Sequence, residues 1–184
     1  MDPSQDNDIV ASVLRGEREA YALLVEAYKT QIFNLAYRMT GSYEDARDLA
    51  QETFVRAYVN LKKFNREKRF FTWLYTIGLN LIRNHLKKKG RDLSRETTDR
   101  TFSEAGIRDG DRMERDVIRW QEIHRLNICL QKLPAELRES VVLRFYQDLS
   151  FEEIATISGA SVSAVKMRVY RGLSRLKRLM EEDW

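Results

Sequence analysis

Residues 149–173 read LSFEEIATISGASVSAVKMRVYRGL, and the spacing inside that stretch decides the fold of the C-terminal half. Ser150 and Glu153 stand three apart, so hydroxyl and carboxylate can satisfy free backbone amides at a helix start. Phe151, Ile154, Ala155 and Ile157 are the apolar positions of that short helix. Gly159-Ala160-Ser161 reads as a turn, with the glycine free to turn left-handed and Ser161 placed as the next N-cap. The following helix puts Val162, Val165, Val169, Leu173 and Leu176 on one stripe. Lys166, Met167, Tyr170 and Arg171 fall off it. Lys166, Arg168, Arg171, Arg175, Lys177 and Arg178 all precede the first acid, Glu181. A helix with its apolar stripe toward the domain and cations and a tyrosine outward suits the major groove of DNA. The plainer alternative is a surface helix with a solvated basic face.

Working outward, the 184 residues can hold one large domain or two small ones. Hydrophobic content of 43% allows real cores, and only two prolines and eight glycines occur. With few β-branched runs, the chain is expected to be all-α. The net charge of +4 is unevenly spread. Residues 61–89 carry nine basic side chains against one acid, Glu67, and residues 161–184 are basic again. Two separate basic zones imply two contacts with a polyanion.

Gly90 to Asp111 has six acids and four arginines and is apolar only at Leu93, Phe102, Ala105 and Ile107. It cannot bury a core and reads as a flexible linker. The expected organisation is two small helical domains, 1–89 and 112–184, joined by the linker 90–111. No signal peptide and no apolar run near 18 residues is present, so a soluble cytoplasmic protein without membrane insertion is expected. Cys129 lies a helical turn from Leu126 and Leu133 and reads as a buried structural thiol. His85 and His124 have no ligand-like spacing with it. No metal, cofactor or catalytic group is expected.

Within the first domain, residues 8–39 read as two helices broken near Gly16, with Ala20, Leu23, Leu24, Ala27, Tyr28 and Ile32 as the longer stripe. Two later helices carry a second interesting face. Over 43–61, Ala46, Leu49, Ala50, Thr53, Phe54, Ala57 and Leu61 share one side. Asp48, Gln51, Glu52, Val55, Tyr58 and Val59 share the other. Acids mixed with apolar side chains fit a protein-docking surface. Burial on both sides is an alternative, and Mg²⁺ held by Asp45, Asp48 and Glu52 is a third. Over 70–89, Phe70, Leu74, Ile77, Gly78, Leu81 and His85 line an inner face, which makes His85 a core histidine. Trp73, Thr76, Asn80, Arg83, Asn84 and Lys87 form another stripe. Indole, amide, hydroxyl and cations together supply what a single nucleic-acid strand needs: a stacking plane, base-edge partners and phosphate neutralisation. A packed tryptophan beside a solvated polar face is the alternative.

These pieces together resemble a bacterial sigma factor of the extracytoplasmic-function (ECF) group. The carrying segments are Asp45-Ala-Arg-Asp-Leu-Ala-Gln-Glu-Thr-Phe54, Phe71-Thr-Trp-Leu-Tyr75 with Asn80, Leu133-Pro134, Leu149-Ser-Phe-Glu-Glu-Ile-Ala155, Val165-Lys-Met-Arg168 and Tyr170-Arg-Gly172. The resemblance implies that Asp48, Gln51, Glu52, Val55 and Tyr58 dock on core RNA polymerase. It implies that Lys63, Arg66, Phe70, Trp73, Thr76, Asn80, Arg83, Asn84 and Lys87 capture the non-template strand of the −10 element, with Asn80 at a base pocket. Ser163, Lys166, Met167, Arg168, Tyr170, Arg171 and Arg175 would read the −35 duplex. It further implies an alternative sigma factor with an anti-sigma partner, and no enzymatic activity. Primary sigma factors have a second tryptophan where this chain has Leu74, which implies strand opening more demanding of promoter sequence. A free-standing helix-turn-helix regulator accounts for 134–178 but not for the faces around Tyr58 and Asn80.

Overall fold

The structure, a computed structural model, describes residues 3–93 and 124–182, with the side chains of 5–90 and 124–182. Every regular element among them is helical. α1 (Pro3–Leu14) ends before Gly16, whose φ of +113° turns the chain. A short 3-10 turn (Arg18–Ala20) leads into α2 (Tyr21–Thr40). Left-handed Gly41 (φ 71°) closes α2, and the Ser42 hydroxyl accepts the Asp45 amide at 3.2 Å to start α3 (Tyr43–Val59). Glu44 and Asp45 lie in that first turn, where they favour the positive end of the helix dipole. A second 3-10 turn (Leu61–Lys63) and a basic loop precede α4 (Phe70–Leu93). α4 continues past Gly90, where the linker was expected to begin; no proline interrupts it there. The rest of that linker, and the helical periodicity returning after Met113, lie outside the described residues.

The buried side of α2 is Tyr21, Leu24, Tyr28, Ile32, Leu35, Ala36 and Met39, a 3-4 repeat packed on α3 and α4. Leu23, expected on that stripe, is 58% exposed, because one 100° step past Leu24 carries it off the contact line. Phe70, Leu74, Tyr75, Leu79 and Ile82 of α4 are fully enclosed, and α4 runs so close to α3 at Gly78 that a Cβ there would lie 3.3 Å from Thr53 Cγ2. Lys89 Nζ donates to Asp45 Oδ2 at 2.7 Å and ties α4 to α3. His85 lies at this rim, half-buried, with Nε2 3.3 Å from the same carboxylate, rather than in the core.

The second unit contains α5 (described over 124–131), α6 (Ala135–Phe145), α7 (Phe151–Ser158) and α8 (Val162–Glu182). The capping box of α7 is formed on both sides: Glu153 N to Ser150 Oγ at 3.1 Å and Ser150 N to Glu153 Oε2 at 3.0 Å. Gly159 takes the left-handed conformation (φ 69°), and Ser161 Oγ accepts the Ala164 amide to cap α8. Cys129, Leu130, Leu143, Ile154, Val165 and Val169 form the core, and Cys129 is buried in it.

The two units pack on one another. Arg138, 8% exposed, donates from its guanidinium to the carbonyls of Met39, Leu133 and Gln131. Gln131 Nε2 donates to the Arg38 carbonyl at 2.8 Å, and the Arg38 guanidinium lies 3.7 Å from the Tyr146 ring centre. Tyr75, with no exposed surface, donates its hydroxyl to Gln147 Oε1 at 2.6 Å. Burial pushes that hydroxyl's pKa up.

Candidate protein and nucleic-acid interfaces

Three surfaces follow from this packing. The first is a groove of about 1040 Å³ between α2 and α3, floored by Tyr21, Ala22, Val25, Phe33, Ala50 and Phe54 and edged by Gln51, Val55 and Tyr58. Val55 is 50% exposed, Tyr58 39% and Val59 72%, so the second face of α3 is neither buried nor polar. Tyr21 and Tyr58 stack edge to face at 5.0 Å, and the Tyr21 hydroxyl donates to the Phe54 carbonyl at 2.8 Å. Arg18, Glu19, Glu26, Lys29 and Arg47 supply charges of both signs around the groove. An apolar floor with a charged rim is the anatomy of a protein interface. Asp48 is exposed beside Arg47, and Glu52 accepts Arg56 Nε at 2.6 Å. Asp45 faces Lys89 and His85. Each acid of the imagined Mg²⁺ site thus has its own cation, and among the described residues no cluster of metal-binding side chains forms. The α2 half of the groove was missed from sequence; the unassigned apolar residues Val25 and Phe33 were its only signal.

The second surface is a recess of about 320 Å³ lined by Arg56, Asn60, Lys63, Trp73, Ile77, Asn80, Leu81 and Asn84. It brings together Trp73, Asn80 and Asn84 from the expected stripe with Lys63 of the expected −10 set, and adds Arg56 and Asn60 from the end of α3. Trp73 is half-buried, its ring 5.2 Å from that of Phe64 and 5.7 Å from that of Phe70. Asn80, Asn84 and Lys87 are exposed, as is Arg66 in the loop. Phe70, expected at the DNA edge, is 0% exposed: it stacks under Trp73 and Phe64 and cannot itself touch a strand. Thr76 is half-buried, with its hydroxyl donating to the Thr72 carbonyl.

Arg83 is engaged across the unit boundary. Nε and Nη2 donate to Glu139 at 2.8 and 2.7 Å, and Nη2 also reaches the Ser158 carbonyl at 3.2 Å. The fork of hydrogen bonds to Glu139 raises the arginine's pKa against the cost of burial. Arg69 likewise donates to Glu153, the carboxylate already used by the α7 capping box. This recruitment of Arg83 was not legible in sequence, since Glu139 lies 56 positions away.

The third surface is the outer side of α8. Ser163, Lys166, Met167, Tyr170, Arg171 and Arg175 are all exposed, Tyr170 at 63% and Met167 at 45%. Lys166 Nζ sits 5.5 Å from the Phe151 ring centre, bridging α8 to α7. Arg168 turns instead toward α6, its guanidinium 3.2 Å from Glu136. Gly172, buried opposite the cations, was quoted from sequence only as motif. A Cβ there would lie 2.6 Å from Val141 Cγ2, so glycine sets how closely α8 meets α6.

The chain thus joins a helical unit bearing an apolar-floored groove and an aromatic-amide recess to a capped helix-turn-helix. The family described as Sigma-70 region 2 matches residues 24–92, and Sigma-70, region 4 matches residues 124–176. RNA polymerase sigma-H factor of Pseudomonas aeruginosa is 32% identical, over 96% of this chain and 94% of that protein. The ECF RNA polymerase sigma factor SigW of Bacillus subtilis is 35% identical, over 94% and 95%. Among solved structures, CnrH in complex with the cytosolic domain of CnrY superposes with a TM-score of 0.72 at 28% identity, covering 97% of this chain and 99% of that one. The fold is shared too with the sigma factor RpoE of Bartonella quintana, solved with the anti-sigma factor NepR (TM-score 0.72, 23% identity, 89% and 98% covered). The chain belongs to the ECF group of the sigma-70 family. It is an alternative sigma factor that directs promoter transcription, and its relatives are transcription regulators rather than enzymes. No helix among the described residues is long and apolar enough to cross a membrane.

Proposed function

We propose that this chain binds core RNA polymerase through the α2–α3 groove, captures the non-template −10 strand at the Trp73–Asn80 recess, and reads −35 duplex with α8. The observation that carries the reading is the recess itself. It joins a stacking ring, exposed carboxamides (Asn80, Asn84) and cations (Lys63, Arg56) in one concavity. Asp48, Gln51, Glu52, Val55 and Tyr58 form the polymerase edge. Lys63, Arg66, Trp73, Asn80, Asn84 and Lys87 form the −10 surface, with Thr76 beside it and Arg83 joining once released. Ser163, Lys166, Met167, Tyr170, Arg171 and Arg175 form the −35 surface, with Arg168 bracing it on Glu136.

The mechanism requires the units to part. Elements 25 base pairs apart lie about 85 Å apart along B-form DNA. A packed chain of this size measures about 40 Å across. The arrangement held by Arg83–Glu139 and Arg138–Met39 therefore precedes promoter binding, and docking on polymerase separates the units. A cytoplasmic chain held by an anti-sigma factor, as CnrH is bound by the cytosolic domain of CnrY, completes the reading. The test is run-off transcription from a genomic fragment library with core polymerase. Initiation at fragments sharing a −35/−10 pair supports it. Transcription no more selective than that of core polymerase alone rejects it.

A further inference from the structure

We propose that Asn7 of α1 is a positioning residue that sets discrimination at the −10 element by holding the basic loop 62–69. The proposal rests on reading that loop and recess as the −10 contact. Asn7 Nδ2 donates to the carbonyl of Arg66 at 2.9 Å, a contact 59 residues apart in sequence, and residue 7 lies outside the segments that the family descriptions match. Nothing in the periodicity of α1 points to it.

The loop has few other restraints. Phe64 anchors its start, 6% exposed against Phe70 and Trp73. Asn65 bends it, its Oδ1 accepting the Glu67 amide at 2.9 Å and its carbonyl accepting the Lys68 amide at 3.0 Å. From Asn65 to Arg69 every side chain is exposed. The Asn7–Arg66 bond ties the loop's middle to the body of the fold, while the Arg69–Glu153 ion pair holds the loop's end. The Asn7 bond acts on the backbone, so Arg66 keeps its guanidinium for a phosphate.

The donor itself is well placed. Its neighbour Asp6 is 2% exposed and accepts the Tyr28 hydroxyl at 2.5 Å. Tyr28 packs 6.0 Å from Phe70 and 6.1 Å from Phe71, at the start of α4. α1 is therefore registered against the helix that carries Trp73 and Asn80. Asn7 passes that register to the loop that carries Lys63 and Arg66. The Asn7 Oδ1 is buried with no hydrogen-bond partner among the described residues. A carboxamide that leaves one end unsatisfied is costly, and the orientation is the one that lets Nδ2 donate to Arg66.

The experiment uses the full chain with core polymerase on a promoter the wild type recognises, randomised across the −10 element, with transcripts counted by sequence in one reaction. Preference ratios within a reaction cancel any loss of active protein. Asn7→Ala, and the isosteric Asn7→Asp that lacks the donor, are expected to compress the ratios at the bases nearest the loop by roughly two- to ten-fold, the range set by one neutral hydrogen bond. Asn7→Gln, whose amide can still donate, should stay nearer the wild-type ratios. Unchanged ratios in Asn7→Ala and Asn7→Asp overturn the proposal. So does an equal loss on every −10 sequence, which marks a structural role alone. Wild-type chain that confers no promoter selectivity rejects the sigma-factor reading instead, before Asn7 enters.

Discussion

Replacing Gly172 with alanine pits helix propensity against packing, and the geometry decides the sign. Alanine in a helix interior is favoured over glycine by about 1 kcal/mol. Against that, the new Cβ would stand 2.6 Å from Val141 Cγ2 and 3.3 Å from the Leu137 carbonyl oxygen. Carbon pairs are comfortable at about 3.5–4.0 Å, so roughly 1 Å of overlap must be relieved. Val141 is 2% exposed and β-branched on a helix, which leaves it one favoured rotamer. The Leu137 oxygen is backbone and cannot swing away. Relief must come from α8 lifting off α6, and overpacking of this kind costs about 1–3 kcal/mol. The expected net is a destabilisation of up to about 2 kcal/mol, seen as a melting point lower by up to about 8 °C. Removing the obstacle should remove the penalty: in a Val141→Ala background the same change should become neutral or favourable. Urea and thermal unfolding of the four chains of that cycle provide the assay. Gly172→Ala as stable as the wild type, with no coupling to Val141, would refute the argument that close approach requires glycine here.

Two further outcomes are expected. Lys166→Ala and Arg171→Ala should each cost about 1–3 kcal/mol of −35 duplex affinity and relax one base position, whereas Arg175→Ala should weaken all duplexes alike and lower the salt slope by about one; competition binding at several salt concentrations distinguishes them. Burial pushes the Asp45 carboxyl up, but Lys89, with His85, outweighs it and holds the pKa below the usual carboxylate range, so the pair stabilises above about pH 3.9 and the benefit fades as pH falls through the folded-state value. Lys89→Ala should therefore cost a few tenths to about 1 kcal/mol at neutral pH and nearly nothing in acid, as read from unfolding curves across pH.

Short-range chemistry carried most of what the sequence revealed. The α7 capping box, left-handed Gly159, the Ser161 cap and the Val165–Val169–Leu176 stripe are all settled within a few residues, and the structure shows each as expected. The two-faced character of α3 was legible for the same reason, since Val55, Tyr58 and Val59 follow from 100° steps alone. What escaped depends on which element lies opposite. Periodicity placed Leu23 on the wrong side of a boundary that only packing draws; it put Phe70 on the inner face, where the structure has it, and the resemblance alone put Phe70 at the DNA edge. The approach at Gly172, the Arg83–Glu139 fork and the Asn7–Arg66 bond join residues 31 to 59 positions apart, and the α2 half of the groove depends on which helix lies opposite. Periodicity names a face and is silent on its neighbour.

The central claim, capture of a single −10 strand at the recess, is tested most directly by permanganate footprinting of promoter thymines with Asn80→Ala holoenzyme. Asn80 is exposed beside Trp73, so its loss removes a base contact without opening the core. Stacking on an aromatic is worth roughly 1–3 kcal/mol per base, and the pocket adds discrimination to it. Weaker thymine reactivity is expected on a duplex promoter, with a smaller defect on a template already mismatched across the −10 region, where unpairing needs no protein energy. Thymine reactivity on the duplex equal to that of the wild type would contradict the claim.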